Sequence, residues 1–531
     1  MVTPTQADTA ALIPAEKPSG LQGNLIEMER CRERYWLRHP GTAITKLRWR
    51  AATVRHSFHT LPGESILELG AGSGLWTEHL SAVLRGLNPI TAAVFDDEFI
   101  ENHRDISNAT FIRVYDLLKD LPAESFDYVV GTAILCHDLY PENLSVIRRL
   151  LKPGGQILFF EANYWNPQVA IKNVLPWLGR WAGEAPCQLA LRKYRLLKVA
   201  SQQGFIEIDV IPFDIIHPLT PLFLLPLLRS VAFVLEHAPV IKELCGTLYI
   251  FAKKPGDEQS RWSKVCLAEH QGLFGAVSVV IPCRNEEMNI PRLTGAILGC
   301  YGPYIKEIII VNDNSTDRTA EVTRELADGD DRIKLFDRTY PGGVGRALRD
   351  GYSVATGQYI LTMDCDFAQI VPELRDLFDV VAAGHDGAIG SRFSHDSLLV
   401  NYPFLKIIAN RTFHLLANIL FRKKLRDVSN NLKLYRADIL KNMEITQPHF
   451  AANAETGLKP ILAGYDILEV PISWINRTVD MGSSSFSVTK VGSSYFSALV
   501  RMLFSYYRGR RSGKGSTVSG GAEAGPRRGP V

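Results

Sequence analysis

The sequence has almost no surplus of charge of either sign. Its 531 residues include 59 Lys and Arg against 56 Asp and Glu, a formal net charge of +3. A balance this small gives no case for a dedicated nucleic-acid binder. With 46% hydrophobic and 22% charged residues, the composition also excludes wholesale disorder and collagen-like or fibrous structure. The length predicts about three domains, or two larger ones.

Paired cysteines and long apolar runs are missing as well. Eight cysteines are scattered without a Cys-x-x-Cys pair, which indicates reduced thiols rather than a disulfide framework or a zinc site. The most apolar stretch, 215–228, contains three prolines and is shorter than the ~18–20 residues of a membrane-spanning helix. The first residues show no basic segment followed by an apolar one, so we predict no secretory signal and a cytoplasmic protein.

Shifts in composition divide the chain into five segments. We predict a disordered leader at 1–24, an α/β domain at 25–252, a polar linker at 253–275, a second α/β domain at 276–511 and a disordered basic tail at 512–531. In both domains, short β-branched runs alternate with amphipathic helical patterns. This alternation predicts two mostly parallel sheets.

A glycine-rich turn in the first domain predicts a ligand site. The apolar run 65–69 leads into Gly70-Ala71-Gly72-Ser73-Gly74 and then into a helical pattern. Glycines at such a turn let the backbone approach a ligand, and the helix N-terminus supplies free N–H groups. The next apolar run ends in Asp96, where a carboxylate can accept both hydroxyls of a ribose. After a third run comes Asp116, which could meet an adenine amine.

The order of motifs in this domain is typical of one enzyme class. ELGAGSG, the acidic end of the second strand, DLL, FDYVV and LLKPGGQILFFE resemble the class I S-adenosylmethionine-dependent methyltransferases over about 45–252. No Gly-x-Gly-x-x-Gly is present, which favours the methyl donor over NAD. The resemblance implies a Rossmann-like sheet in which the cofactor is bound by Glu68, Gly70, Gly72, Gly74, Asp96 and Asp116.

The sequence does not identify the methyl acceptor. A hydroxyl acceptor would need a general base, and His137 in AILCHDLY is the best-placed candidate. The alternative is a loop histidine that packs over the cofactor. The apolar segment 211–234 could form a lid over the acceptor, a membrane-facing surface or plain core.

In the second domain, several apolar runs end in polar residues. They are followed by Arg284 and Glu286, by Asp313, and by Asp364-Cys365-Asp366. Polar groups at the carboxyl ends of adjacent parallel strands are where an open α/β sheet binds ligands. Two carboxylates this close repel each other. A divalent cation such as Mg²⁺ or Mn²⁺ would relieve that repulsion and could bridge a diphosphate.

The motif series VVIPCRNEE, VNDNSTD, GGVGRAL and MDCD resembles the inverting family 2 glycosyltransferases of the GT-A fold. The nearer resemblance, over about 276–490, is to dolichyl-phosphate mannosyltransferases and related polyprenyl-phosphate enzymes. It implies a nucleotide-sugar donor, best guessed as GDP-mannose, and a polyprenyl or dolichyl phosphate acceptor. By the same resemblance the nucleotide-sugar is held by Pro282, Arg284, Glu286, Asp313 and Asp364, the metal by Asp364 and Asp366, and the phosphates of donor and acceptor are neutralised by Arg392 and Arg477.

The sequence departs from this family pattern at several positions. Ala368 stands where a glutamine is usual, Asn312 where an aspartate is usual, Ser485 where a lysine is usual and Asn431 where a glycine is usual. An acceptor other than a simple dolichyl phosphate therefore stays open. A phosphate acceptor needs no general base, whereas a hydroxyl does. Glu455 could be that base, or it could be an ordinary carboxylate at a helix start.

Two segments, 398–424 and 495–507, combine apolar residues with basic edges. This pattern favours interfacial helices on an anionic inner membrane leaflet over ordinary helices packed on the sheet. We therefore expect a bifunctional glycosyltransferase and methyltransferase, with peripheral membrane contact and no nucleic-acid partner. The alternative is a glycosyltransferase acting on a hydroxyl of a polysaccharide or glycolipid, with the methyltransferase-like half as a non-catalytic scaffold.

Overall fold

The structure is a computed structural model, which describes residues 20–115, 120–135, 140–175, 177–178, 190–218, 220–256, 265–339, 341–475 and 488–511. By its internal contacts the chain divides into two compact units. The first consists of Met1–Leu47, Glu64–Phe223 and Glu243–Gly256, and the second of Arg48–Gly63, Leu224–Lys242 and Asp257–Val531.

The first unit is built on a seven-stranded sheet with the order β3-β2-β1-β4-β5-β7-β6. Its strands are β1 (Ile66–Leu69), β2 (Ile90–Val94), β3 (Ala109–Arg113), β4 (Phe126–Thr132), β5 (Leu151–Ala162), β6 (Ile206–Phe213) and β7 (Thr247–Lys253). Strand β7 runs antiparallel to its neighbours β5 and β6, and the other pairings of this sheet are parallel. The described helices are α1 (Gly20–Arg38), α2 (Thr42–Phe58, which continues into the second unit), α3 (Leu75–Val83), α4 (Asp97–Glu101), α5 (Tyr140–Leu150), α6 (Pro167–Val174) and α7 (Lys193–Gln202).

The middle strands of this sheet are apolar because both of their faces are covered. All four residues of β1 are buried, as parallel strands between helical layers require. Leu69 pairs with Ala93 of β2 and with Gly131 of β4. The carboxyl ends of β1, β2 and β4 therefore meet at one edge, which carries the glycine turn and Asp96.

The second unit contains another seven-stranded sheet, with the order β10-β9-β8-β11-β14-β12-β15. Its strands are β8 (Val277–Cys283), β9 (Ile305–Asn312), β10 (Ile333–Asp337), β11 (Tyr359–Thr362), β12 (Gly387–Ser391), β14 (Lys433–Arg436) and β15 (Ile467–Pro471), and β13 (Leu398–Val400) pairs separately with β16 (Ser473–Ile475). Strand β14 is antiparallel to both neighbours. The helices are α8 (Leu225–Leu235), α9 (Ile290–Tyr301), α10 (Thr319–Gly329), α11 (Val344–Val354), α12 (Leu374–Ala382), α13 (Phe404–Phe421), α14 (Ala437–Lys441), α15 (Ala452–Ala463) and α16 (Val488–Arg511).

These two mixed α/β sheets confirm the expected fold class. The apolar runs of the sequence form the central strands, since β8 and β9 are buried almost throughout. Strand β8 pairs with β9 on one side and with β11 on the other, all in parallel. The polar residues that follow these three strands consequently share one edge of the sheet.

Two segments from the first half of the chain belong to the second unit. In the C-terminal part of α2, Arg55 donates to both carboxylate oxygens of Asp376, at 2.8 and 2.7 Å. In α8, Arg229 donates to the carbonyl oxygen of His395 at 2.6 Å. The apolar segment 211–234 is therefore divided between β6 of the first unit and α8 of the second.

Helices α13 and α16 each leave large apolar side chains exposed. Those on α13 include Leu405, Ile408, Leu415 and Ile419, and those on α16 include Phe496, Phe504 and Tyr507. Among the described residues no helix has both the length and the hydropathy needed to cross a bilayer.

Candidate active sites

The second unit holds a cavity of about 1040 Å³ at the carboxyl edge of its sheet. Register explains its position, because Cys283 at the end of β8 pairs with Asn312 at the end of β9, and Thr362 of β11 pairs with Val280. Seven residues singled out in the sequence line this one cavity: Pro282, Arg284, Glu286, Asp313, Asp364, Asp366 and Arg392.

Asp313 is held in place by a residue that the sequence analysis missed. One of its carboxylate oxygens pairs with the buried guanidinium of Arg338. The other accepts a hydrogen bond from the amide of Gly343 at 2.6 Å. Arg338 also donates to Asp350 at 2.7 Å. The side chain of Asp313 is thereby fixed at the wall of the cavity.

Gly343 shows why the glycine-rich turn before α11 is needed. Its φ of +147° lies in a region that L side chains rarely adopt, and a Cβ atom there would clash with the carbonyl oxygen of Pro448. The turn is thus pressed against the loop before α15, which places Gly343 and His449 on the same cavity wall.

Asp364 and Asp366 follow β11 and both line the cavity. Asn431, which replaces the usual glycine, donates its side-chain amide to Asp364 at 2.7 Å. Among the described residues no group of three His, Cys, Asp or Glu side chains could bind a metal. Mg²⁺ typically uses one or two carboxylates together with substrate phosphates and water. The two aspartates fit a divalent ion of that kind, with its remaining ligands supplied by a diphosphate.

Arg392 forms a buried ion pair with Asp427 in the cavity wall. Its Nε and Nη2 atoms donate to the two carboxylate oxygens at 2.7 and 3.0 Å. Burial alone would raise the pKa of Asp427, but the nearby Arg392 outweighs burial and lowers that pKa to about 2. The guanidinium also lies 5.9 and 5.7 Å from the rings of Tyr402 and Trp474. Most of the hydrogen-bonding capacity of Arg392 is thus engaged within the protein.

A fully buried lysine, Lys433, lies near the carboxylates of Asp427 and Asp364. Its ammonium group donates to the carbonyl oxygen of Asn453 and to the hydroxyl of Thr456, both at 2.9 Å. Burial lowers the pKa of Lys433 to about 7, against the attraction of Asp427 and Asp364. The sequence offered no signal for this residue, because a lysine in a short strand usually faces solvent.

Other elements give the cavity a largely apolar lining. Helices α13 and α16 and strand β16 contribute Ala409, Phe413, Leu416, Trp474, Tyr495, Phe496 and Leu499. The basic side chain of Lys406 also reaches this wall. One cavity is thus lined both by polar groups of the sheet edge and by apolar side chains of two helices.

Glu455 is not among the residues that line the cavity. Its carboxylate accepts hydrogen bonds from the amides of Thr446 and Gln447 at 2.9 and 2.8 Å and pairs with Lys459 at 2.8 Å. Burial would raise the pKa of Glu455, but these partners outweigh it and hold the pKa below its ordinary value. This arrangement favours the carboxylate at a helix start over the general base.

Two other residues that depart from the family pattern, Ala368 and Asn312, lie in the described part of the second unit. Ala368 is buried, and neither it nor Gln369 lines the cavity. The side chain of Asn312 donates to Asp337 at 2.7 Å. Arg477 and Ser485 lie outside the described residues.

In the first unit, the glycine turn after β1 takes the form that the sequence predicts. Gly70, Gly72 and Gly74 have φ values of +69°, +57° and +87°, a region that favours glycine. Glu68 is buried, and desolvation raises its pKa to about 8. Asp96 lies at the end of β2 and caps α4 by accepting from the amide of Glu98 at 3.2 Å.

Helix α1 packs directly against this turn. Glu29 accepts hydrogen bonds from the amides of Gly72, Phe95 and Asp96 at 3.0, 2.9 and 3.1 Å. Arg30 pairs with both carboxylate oxygens of Asp96. Sequence reasoning missed these contacts because they join residues more than forty positions apart.

Two further side chains of α1 complete the contact. Arg32 donates to the carbonyl oxygen of Gly70 and, at 2.5 Å, to that of Thr132. Glu33 accepts from the hydroxyl of Ser73. A Cβ atom on Gly72 would lie 2.8 Å from Oε2 of Glu33. The residue types at this edge fit S-adenosylmethionine, and in this conformation α1 occupies their hydrogen-bonding groups. Asp116 and His137 lie outside the described residues.

Comparison with known proteins identifies the class of both units. Residues 278–443 match the family model for glycosyl transferase family 2, and residues 43–205 match a model for a methyltransferase domain. The chain is therefore a transferase that combines a family 2 glycosyltransferase domain with a methyltransferase domain.

Among individual relatives, the glycosyltransferase domain is similar to polyprenol monophosphomannose synthase of Mycolicibacterium smegmatis. The two are 29% identical over 230 residues, which cover 41% of this chain and 83% of that protein. Glycosyltransferase AglD of Haloferax volcanii is 28% identical over 205 residues, which cover 37% of this chain and 33% of that protein. The chain thus spans most of the first relative and about a third of the second.

Solved structures are similar at a lower level. A possible histamine N-methyltransferase of Thermotoga maritima is 16% identical with a TM-score of 0.32, over 44% of this chain and 99% of that chain. Glucosyl-3-phosphoglycerate synthase of Mycobacterium tuberculosis is 15% identical with a TM-score of 0.35, over 47% of this chain and 85% of that chain. Scores this low carry no argument about substrates.

Proposed function

We propose that the glycosyltransferase domain transfers a hexose from a nucleotide-diphosphate sugar to a polyprenyl phosphate, with inversion at the anomeric carbon. GDP-mannose is the best guess for the donor. The observation that carries the proposal is that polar residues of the sheet edge and apolar residues of α13 and α16 line the same cavity. Such a cavity suits an acceptor whose phosphate must meet a charged donor while its hydrocarbon chain avoids water. The name of the Mycolicibacterium relative, polyprenol monophosphomannose synthase, agrees with a mannosyl group and a polyprenyl acceptor.

The donor would bind at the sheet edge. In this proposal Pro282, Arg284 and Asp313 surround the nucleoside, with Glu286 beside them. Asp364 and Asp366 would hold Mg²⁺ or Mn²⁺, which when bound supplies positive charge to a diphosphate leaving group. The fixed orientation of Asp313 supports a defined position for the nucleoside.

The chemistry needs little from the protein besides alignment. An oxygen of the acceptor phosphate forms a bond to C1 of the sugar while the bond from C1 to the diphosphate breaks. The nucleoside diphosphate leaves with the electron pair. Because a phosphate acceptor is already an anion, no base is required, and the engagement of Glu455 with Lys459 and two amides is consistent with this. Arg392 and Arg477 are proposed to neutralise phosphate charge.

The surface beyond the cavity suits a bilayer. The exposed side chains of Leu416 and Phe496 line the cavity, and further exposed apolar side chains lie on the same two helices. The exposed basic residues Arg422, Lys423, Lys424, Arg501 and Arg508 lie on or directly after these helices. Apolar area with basic neighbours binds anionic lipid surfaces. We therefore propose peripheral contact with an anionic leaflet, tested by flotation with anionic liposomes. Absence of binding at low salt would contradict the contact.

For the first domain we propose methyl transfer from S-adenosylmethionine to an acceptor of the same glycan or glycolipid pathway. When bound, this cofactor supplies an electrophilic methyl group. Its proposed contacts are Glu68, Gly70, Gly72, Gly74, Asp96 and Asp116. His137 is the proposed base if the acceptor is a hydroxyl.

The decisive experiment for the glycosyltransferase is a transfer assay on the purified full chain. It uses labelled GDP-mannose or UDP-glucose, Mn²⁺, and either polyprenyl phosphate or the matching polyprenol. We expect label in the lipid phase only with the phosphate, and loss of transfer in Asp364→Asn. Equal transfer to the polyprenol, or unchanged transfer in Asp364→Asn, would contradict the proposal.

A further inference from the structure

Helix α1 makes contacts that a bound nucleoside would be expected to make. A carboxylate at the end of β2 binds the two hydroxyls of a ribose by accepting both. Here Arg30 donates to both carboxylate oxygens of Asp96 instead. The guanidinium thus occupies the same two acceptors from within the chain.

The glycine turn and the residues after β2 form the methyl-donor cleft, and its backbone groups are engaged in the same way. One carboxylate oxygen of Glu29 accepts from the amides of Phe95 and Asp96, and the other accepts from Gly72. Arg32 takes the carbonyl oxygen of Gly70. These groups are buried, and a buried amide or carbonyl that loses one partner must gain another. Each amide has a single hydrogen to donate, so a ligand can use the amides of Gly72, Phe95 and Asp96 only if Glu29 withdraws.

From this coincidence of contacts we infer that α1 is an internal ligand of the methyl-donor cleft, so that docking of α1 and binding of S-adenosylmethionine exclude each other. The inference rests on the proposed function of the first domain. It adds a regulatory element, because any event that loosens α1 would open the cleft.

The connection of α1 to the rest of the unit suits such a movement. The helix ends at Arg38, and α2 begins at Thr42, so the two helices are joined by a short turn that contains Pro40 and Gly41. Docking is favoured by apolar contacts as well, since Leu25 and Met28 are buried. The docked state is thus stabilised by polar and apolar contacts on one helix that a short hinge can release.

A charge reversal on α1 tests the inference without disturbing the core. Arg30 is half-exposed, so Arg30→Glu should be tolerated, and it would place a carboxylate against Asp96 only in the docked state. Arg34→Glu is the matched control, because Arg34 lies one turn later, is exposed, and donates its hydrogen bonds among the described residues to Arg30 and Cys31 of its own helix. The full chain is used for all three proteins.

The readouts are calorimetric titration with S-adenosylmethionine and hydrogen exchange of the peptide that covers α1. We expect Arg30→Glu to bind the cofactor at least tenfold more tightly than the parent protein, with Arg34→Glu unchanged. In the parent protein, saturating cofactor should increase exchange in α1.

Two results would overturn the inference, and they are distinguishable. If the parent binds the cofactor while exchange in α1 falls, α1 is part of the binding site rather than its competitor, and the proposed cofactor stands. If Arg30→Glu shows fast exchange in α1 and still binds no S-adenosylmethionine, both the inference and the proposed methyl donor fail.

Discussion

Replacing Arg392 by methionine should destabilise the glycosyltransferase unit strongly. The substitution removes the charge but keeps most of the side-chain bulk. Asp427 is completely buried and Arg392 is 11% exposed, so the carboxylate would lose the guanidinium that pairs with it while remaining inside the protein. Breaking a buried pair by removing one partner costs about 3–5 kcal/mol. We expect a loss of that size in the free energy of unfolding at pH 7.

The pH dependence supplies a second, independent part of this prediction. With Arg392 present, the pKa of Asp427 is about 2, below its unfolded value of about 3.9. The pair therefore contributes stability that is present above pH 4 and is lost as the pH falls towards 2. In Arg392→Met the buried carboxyl would have a raised pKa and would be neutralised on mild acidification. The difference in the free energy of unfolding between the parent and the variant should become smaller as the pH is lowered from 7 to 4.

The assay is urea unfolding of the full chain, followed by pulse proteolysis with detection of fragments from the second unit. The double variant Arg392→Met, Asp427→Asn is the control. Its free energy of unfolding should be about 1–3 kcal/mol higher than that of the single variant, because the unpaired buried charge has been removed. A loss below about 1 kcal/mol in Arg392→Met, or a difference in unfolding free energy that does not change with pH, would refute the ion pair.

Three further predictions concern single positions. Glu455→Gln should keep sugar transfer to polyprenyl phosphate within about threefold of the parent in the radiolabel assay, because the carboxylate does not line the cavity. A loss of transfer by orders of magnitude would favour a hydroxyl acceptor. Gly343→Ala should lower the melting temperature by several degrees, because the added Cβ would clash with Pro448. The control is Gly295→Ala, where a Cβ meets nothing within 4 Å and the melting temperature should not fall. Equal effects of the two substitutions would count against the tight turn. Burial raises the pKa of Glu29 to about 7, so docking of α1 should be stronger at pH 4.5 than at pH 7. Hydrogen exchange in α1, corrected for its intrinsic rate, should increase over that interval, and a flat profile would contradict the docked geometry.

The sheet edges could be predicted from the sequence because buried parallel strands leave a clear pattern. An apolar run such as that of β8, ended abruptly by polar residues, indicates both the strand and its carboxyl end. Arg284, Asp313 and Asp364 were found in this way, and all three line one cavity. Their chemistry depends on residue type and on position in a strand, which are local properties.

The partners of these residues could not be predicted, because they come from distant parts of the chain. Arg338 reaches Asp313 through the pairing of β9 with β10, and Asp427 reaches Arg392 from a loop before β14. A lone arginine or aspartate in a sequence carries no sign of its partner. Their pairing becomes visible only once the sheet is assembled.

The position of α1 was the largest omission. Its sequence is mostly polar, which is typical of an ordinary surface helix. The residues that enter the cleft, Glu29, Arg30, Arg32 and Glu33, are charged and would be expected to face solvent. They are accommodated because each meets a backbone group or an opposite charge at the sheet edge.

The central claim is that one cavity holds the sugar nucleotide at the sheet edge and the lipid acceptor between α13 and α16. Photo-crosslinking with a polyprenyl phosphate that carries a benzophenone on its chain, followed by mass spectrometry, tests this most directly. We predict adducts on peptides that contain Phe413, Leu416, Phe496 or Leu499, which are suppressed by excess unlabelled polyprenyl phosphate. Adducts confined to other parts of the chain, or adducts on these peptides that no competitor removes, would contradict the claim.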